Sequence, residues 1–169
     1  MLSAHSQDQT MALDILHRVA KANGLKVATA ESLTAGLISA TIAEKSGCSA
    51  YHQGGIVAYN IDAKVNLLGV DRELAQACNC VSAAVATQMA LGARQAFGAN
   101  LVIAVTGYAE PWPDGGVEEP YAHYAILCGS AGSTGVIQLA DMGRQEAREE
   151  VTTRTLCELA AMAESCYAG

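Results

Sequence analysis

The chain has 169 residues, 51% of them apolar and 16% charged, with a formal net charge of −7. That length suits one domain that buries roughly two-thirds of its unfolded surface, and the acidic balance argues against a nucleic-acid surface, which needs clustered Lys and Arg. No run of about 18 apolar residues is present to span a membrane, and the polar start from Met1 to Thr10 lacks the basic and then apolar build of a signal peptide.

In chain order, residues 1–9 read as a flexible leader and 10–169 as a single domain. Thr10 is placed to cap a helix to Ala22, whose Met11, Leu13, Leu16, Val19 and Ala20 give an apolar face, with Asn23-Gly24 as its stop. Leu25–Ala30 is a short apolar strand, consistent with burial on both faces. A second helix is expected over Thr34–Ser46, then a strand over Tyr51–Tyr59 whose Gly54-Gly55 pair signals a bulge or a close backbone approach. Asn60, Asp71 and Ser82 each precede a helical stretch as N-caps. The third of these stretches carries Val85, Met89, Ala93 and Phe97 on one stripe. Leu101–Thr106 is a further buried strand. Residues 107–120 hold all three prolines and the only tryptophan and read as a functional loop. Tyr121–Cys128 is a strand, Gly129–Gly135 a flexible connection, Val136–Leu139 a strand, and Arg144–Tyr167 a closing helix. This order predicts an α/β fold: a three-layer α/β/α sandwich around a mixed sheet.

The six cysteines are scattered, and Cys78-Asn79-Cys80 is not a C-x-x-C pair. They read as reduced, mostly buried thiols, in keeping with a cytoplasmic location. His5, His17, His52 and His123 stand alone, so no metal site is expected.

Two strand-to-helix turns carry the chemistry. Ser32 and Thr34 lie on the first, and Tyr59, Asn60 and Lys64 on the second. If the two strands are parallel neighbours, their carboxyl ends face one crevice, and Ser32, Tyr59 and Lys64 converge. A serine, a tyrosine and a lysine in a dry cleft are the parts of a nucleophilic hydrolase that works without histidine. Each has a plainer reading. Ser32 suits an N-cap, although Thr34 can take that role; Tyr59 suits a core or rim aromatic; Lys64 suits a solvated helix. A Lys64 buried near a helix N-terminus would instead have its charged form disfavoured and could act as a base. Glu31 is expected to receive amides or a cation. The turn over 30–36 could hold a phosphate monoester on its amides, though it lacks the glycines and lysine of a P-loop. Arg144 and Arg148, one helical turn apart, either pair with a carboxylate or phosphate or form a solvated face.

Taken together, Thr29-Ala30-Glu31-Ser32-Leu33-Thr34-Ala35-Gly36, the block Gly55 to Val70, Val81-Ser82 and Ala104-Val105-Thr106-Gly107 resemble the C-terminal domain of the competence/damage-inducible protein CinA. As a stand-alone protein that domain is the nicotinamide-nucleotide amidohydrolase. The resemblance implies a cofactor-free, self-associating α/β/α sandwich, a dimer being favoured, that converts nicotinamide mononucleotide and water to the acid and ammonia. It implies Ser32 as nucleophile, with Lys64 assisted by Tyr59 as base and amides near Thr34 to Gly36 holding the oxyanion. Glu31, Thr34, Ala35, Gly36, Asn60, Thr106, Gly107 and Arg144 would lie on the substrate side. The alternative is a paralogue that keeps the fold as a ligand-binding or assembly module.

The chain departs from the family pattern on the substrate side. Ala35 stands where a first glycine is usual, and Thr-Gly-Ile-Ala-Gly-Pro becomes Thr106-Gly107-Tyr108-Ala109-Glu110-Pro111, followed by Trp112. The next segment reads Glu119-Pro120-Tyr121-Ala122-His123-Tyr124, and the segment before the last helix Met142-Gly143-Arg144. A carboxylate at position 110 would repel a phosphate. An altered substrate preference or a weak activity is therefore expected.

Overall fold

Five strands form one mixed sheet in the order β2-β1-β3-β4-β5. The structure, a computed structural model, describes residues 4–167. β1 (Val27–Glu31) lies between β2 (His52–Val57) and β3 (Leu101–Gly107) and runs parallel to both. β4 (Tyr121–Cys128) and β5 (Ala131–Gln138) complete the sheet antiparallel. The expected α/β class, with helices on both faces of a mixed sheet, is the observed one.

β1 and β3 are buried almost throughout because helices cover both of their faces. On one face α1 (Ala4–Asn23) and α6 (Arg144–Tyr167) pack over Val27, Leu101, Ile103 and Val105. On the other, α3 (Ile61–Leu68), α4 (Arg72–Ala77) and α5 (Ala83–Phe97) pack over Ala28, Ala30, Val102 and Ala104. The alanines facing this second layer let the helices approach closely. Gly92 of α5 is the extreme case: a Cβ there would sit 2.1 Å from the Leu68 carbonyl oxygen.

The caps form where the sequence places them. Asn60 Oδ1 accepts from the Ala63 amide at 2.8 Å, Asp71 Oδ1 from Leu74 at 2.7 Å, and Ser82 Oγ from Val85 at 3.2 Å. At the glycine pair of β2, the register with β1 slips between Val27 and Ala28. A Cβ on Gly55 would lie 2.3 Å from Thr29 Oγ1, so the strands meet there only because the side chain is missing.

Three expectations need correction. First, α1 begins at Ala4, so Thr10 lies inside it and residues 4–9 are helix rather than leader; positions 1–3 lie outside the described residues. These polar turns lack an apolar stripe, but α6 supplies partners, as where Gln9 Nε2 donates to Thr153 Oγ1 at 2.8 Å. Second, the Gly129–Gly135 connection is mostly strand. β5 starts at Ala131, opposite Cys128, after a tight turn with Gly129 at φ 58°. As an edge strand it holds by backbone pairing to β4 and needs no apolar alternation. Third, α2 spans only Leu37–Ala43 instead of Thr34–Ser46, because residues 32–36 are drawn into the turn described next.

Candidate active site

The chain leaves β1 toward β2 on one side and returns to β3 on the other, so the carboxyl end of β1 is the point where strand order reverses. Open α/β sheets bind ligands there. Ser32 follows β1 directly, Tyr59 lies just beyond β2, and Gly107 ends β3. Two adjacent cavities of about 290 and 340 Å³ open at this place, both bounded by Ser32, Tyr59, Gly107 and Tyr108.

The β1–α2 turn is shaped by Glu31. Its carboxylate is wholly buried and accepts five hydrogen bonds. Oε1 takes Thr29 Oγ1 at 3.0 Å and the Ser39 amide at 2.8 Å; Oε2 takes Thr34 Oγ1 at 2.7 Å and the Gly36 and Ile38 amides at 3.0 and 3.1 Å. The acid thus does the work of an N-cap for α2 from within the strand, satisfying amides that would otherwise lack partners. Ala35 and Gly36 adopt φ 51° and 95° to make the turn. From α6, Arg148 donates Nε to the Leu33 carbonyl and Nη2 to the Thr34 carbonyl, each at 3.0 Å, and ties the turn from outside.

Ser32 is 7% exposed and meets Lys64, which is 1% exposed. Lys64 Nζ donates to Ser32 Oγ at 2.9 Å and to the Ala58 carbonyl at 2.8 Å. Among the described residues no carboxylate pairs with it. Burial therefore lowers its pKa, against a smaller opposing contribution from Cys80, whose own thiol burial pushes up. An amine held this way is suited to exchange a proton with the hydroxyl beside it. Among the described residues no hydrogen bond engages the Leu33 and Thr34 amides, which follow the serine immediately. Thr34 has no exposed surface, whereas Leu33 borders one of the cavities, so the Leu33 amide is the donor within reach of negative charge developing there.

Tyr59 does not join this pair. It is 55% exposed, and its hydroxyl accepts from Arg144 Nη2 at 2.6 Å; Arg144 Nη1 in turn donates to Glu110 Oε1 at 2.7 Å. Of the residues expected on the substrate side, Asn60, Thr106 and Gly107 line the inner cavity, and Gly107 and Arg144 the outer one. Thr106 Oγ1 donates to the Cys80 carbonyl at 2.6 Å. Glu31, Thr34, Ala35 and Gly36 border neither cavity. The inward-turned Glu31 carboxylate takes the Thr34 hydroxyl and the Gly36 amide, and the Ala35 amide donates to the Ser32 carbonyl at 3.0 Å.

Sequence reading missed the Ala58 carbonyl and the backbone role of Arg148. Nothing local marks the first, and the second acts across 115 residues. Cys80, which borders Lys64, and Asn79, whose amide donates to the Tyr108 hydroxyl at 3.0 Å, also escaped notice. Among the described residues no cluster of His, Cys, Asp and Glu is arranged to hold a metal ion, and no helix is long and apolar enough to cross a membrane.

A family model describing the CinA C-terminal domain matches residues 8–163. The chain belongs to the CinA C-terminal domain family. A CinA-like protein of Mycolicibacterium paratuberculosis is 40% identical over 156 residues, which is 88% of this chain and 35% of that protein. A second, from Mycolicibacterium gilvum, is 42% identical over 132 residues, covering 77% of this chain and 31% of that one. The chain thus spans about a third of the length of these relatives. Among solved structures, a competence/damage-inducible protein of Agrobacterium tumefaciens superposes with a TM-score of 0.82 at 35% identity, covering 92% of this chain and 95% of that one. A competence or damage-inducible protein of Enterobacter asburiae superposes with a TM-score of 0.86 at 26% identity, covering 92% and 98%. In this CinA-family chain the serine–lysine pair stands beside the 108–112 loop.

Proposed function

We propose that this CinA-family domain is an amidohydrolase of the nicotinamide-nucleotide type, hydrolysing an aromatic carboxamide to its acid and ammonia. The observation that carries the reading is the buried Lys64 amine, 2.9 Å from Ser32 Oγ and without a carboxylate partner among the described residues. Neutral Lys64 takes the Ser32 proton as Oγ attacks the carboxamide carbon. The Leu33 amide, at the outer cavity, receives the resulting oxyanion, a contribution typically of about 3 kcal/mol per donor. As the C–N bond breaks, Lys64 returns the proton to the leaving nitrogen and ammonia departs. Water then attacks the acyl ester, Lys64 accepts its proton and passes it to Ser32 Oγ, and the acid is released. Tyr59, held by Arg144, forms the cavity wall in this scheme rather than a link in the proton path. Self-association as a dimer is part of the same proposal.

Ammonia release from nicotinamide mononucleotide tests it, with Ser32→Ala and Lys64→Met as comparators. Both variants should lose about 10²–10⁴-fold in rate, the usual worth of a nucleophile or base. Equal rates for all three proteins would leave the second reading, a ligand-binding or assembly module. The engagement of the Tyr59 hydroxyl by Arg144, away from the serine–lysine pair, is the observation that favours it.

A further inference from the structure

A nucleotide substrate brings a phosphate, and a phosphate needs an unengaged cation or a set of free amides. Near Ser32 the Leu33 and Thr34 amides are without a hydrogen bond among the described residues, the first of them being the oxyanion donor of the proposed reaction, and the other devices are engaged. The first amides of α2 are taken by Glu31. Arg148 directs two of its donors at the Leu33 and Thr34 carbonyls. Lys64 is buried on Ser32 and Ala58. The remaining cation lining the two cavities is Arg144, and it is paired with Glu110. Glu110 is itself well exposed at the mouth of the outer cavity, where a phosphate approaching Arg144 would meet its carboxylate.

The rest of the outer cavity suits a flat ring. Trp112 and Tyr108 stand with ring centroids 6.1 Å apart, and Trp112 is 44% exposed. Gly115 braces the indole; a Cβ there would fall 2.1 Å from Trp112 Cε3. The segment is closed by paired backbone hydrogen bonds between Trp112 and Val117, at 2.8 and 3.0 Å. Indole, phenol and a carboxylate around one space favour an aromatic cation such as a pyridinium.

We infer that Glu110 is a specificity residue that cancels the anion-binding charge of Arg144, so that this site takes a pyridinium carboxamide nucleoside lacking a phosphate in preference to the corresponding nucleotide. The inference rests on the amidohydrolase reading for its chemistry, but ligand preference can be measured separately from turnover.

Trp112 is the only tryptophan, so its fluorescence reports ligand binding directly. Titrating wild type and Glu110→Gln with nicotinamide mononucleotide, and with the nucleoside made by removing its phosphate, gives four dissociation constants; ammonia release under the same conditions gives four values of kcat/KM. Wild type is expected to bind the nucleoside about 10-fold more tightly than the nucleotide. Glu110→Gln should raise the nucleotide-to-nucleoside ratio about 10-fold, because the neutral amide leaves the Arg144 charge uncancelled. A wild type that prefers the nucleotide, a ratio unchanged by Glu110→Gln, or no binding of either ligand overturns the inference. The expected binding preference without ammonia release from either ligand would instead uphold the specificity role and overturn the amidohydrolase reading.

Discussion

Replacing Glu31 by Gln changes one oxygen for a nitrogen at the centre of the β1–α2 turn. The carboxylate accepts two donors on Oε1 and three on Oε2. The least damaging placement of the new amide nitrogen is on the Oε1 side. There the Thr29 hydroxyl can rotate to accept from it, but the Ser39 amide is left facing another donor. An unpartnered buried N–H costs about 1–3 kcal/mol. The three donors left on the remaining oxygen change from charge-assisted to neutral hydrogen bonds and weaken, roughly halving in strength. The sum is about 3–5 kcal/mol, a large share of the 5–15 kcal/mol typical of a domain. Urea unfolding followed by far-ultraviolet circular dichroism measures it. A loss below about 1 kcal/mol would show that the carboxylate is not what holds the turn, and the positioning of Ser32 would need another explanation.

Three further outcomes follow from the same structure. Burial lowers the Lys64 pKa below its ordinary 10.5, so between the lowered value and 10.5 the unfolded chain binds the extra proton. The free energy of unfolding should therefore rise with pH across that window, by up to about 1.4 kcal/mol per pH unit from this group; the penalty is fully present below it. Denaturation curves at several pH values should show Lys64→Met lacking that part of the slope, and kcat/KM of the wild type should climb as pH approaches the lowered value from below and level off across the window, where the folded amine has already lost its proton. Gly92→Ala should destabilise by about 1–3 kcal/mol or more, despite alanine's better helix propensity, because its methyl would strike the Leu68 carbonyl; an unchanged melting temperature would contradict the close crossing of α3 and α5. Arg148→Ala should lower kcat about 10-fold with KM little altered, since it loosens the serine turn without touching the cavities, and steady-state kinetics would show it.

What could be read from the sequence was what acts over a few residues or repeats with a period. The Leu101–Val105 strand is apolar at every position and is buried at every position. Asn60, Asp71 and Ser82 cap because their partners lie three residues ahead. Ser32 and Lys64 could be brought together in advance because parallel strands place successive strand ends in one crevice. The parts that escaped depend on distance in the chain. Glu31 reaches up to eight residues ahead to cap α2, a longer span than any cap signal covers. The polar first turns of α1 are stabilised by α6, from the opposite end of the sequence. β5 pairs along its backbone, so its glycines and threonine carry no side-chain pattern to read. Tyr59 is expected beside Lys64 from their shared strand-to-helix turn and from the family resemblance, whereas an arginine 85 residues away claims its hydroxyl.

Arg148 holds the serine turn by two backbone carbonyls from within the final helix. Translation delivers the N-terminal end first, so Ser32, Lys64 and all five strands leave the ribosome before the helix that carries this strap. A chain truncated ahead of α6 should thus carry Ser32 and Lys64 without the contacts that shape the turn beside them, so the crevice takes its final form only once α6 has been made.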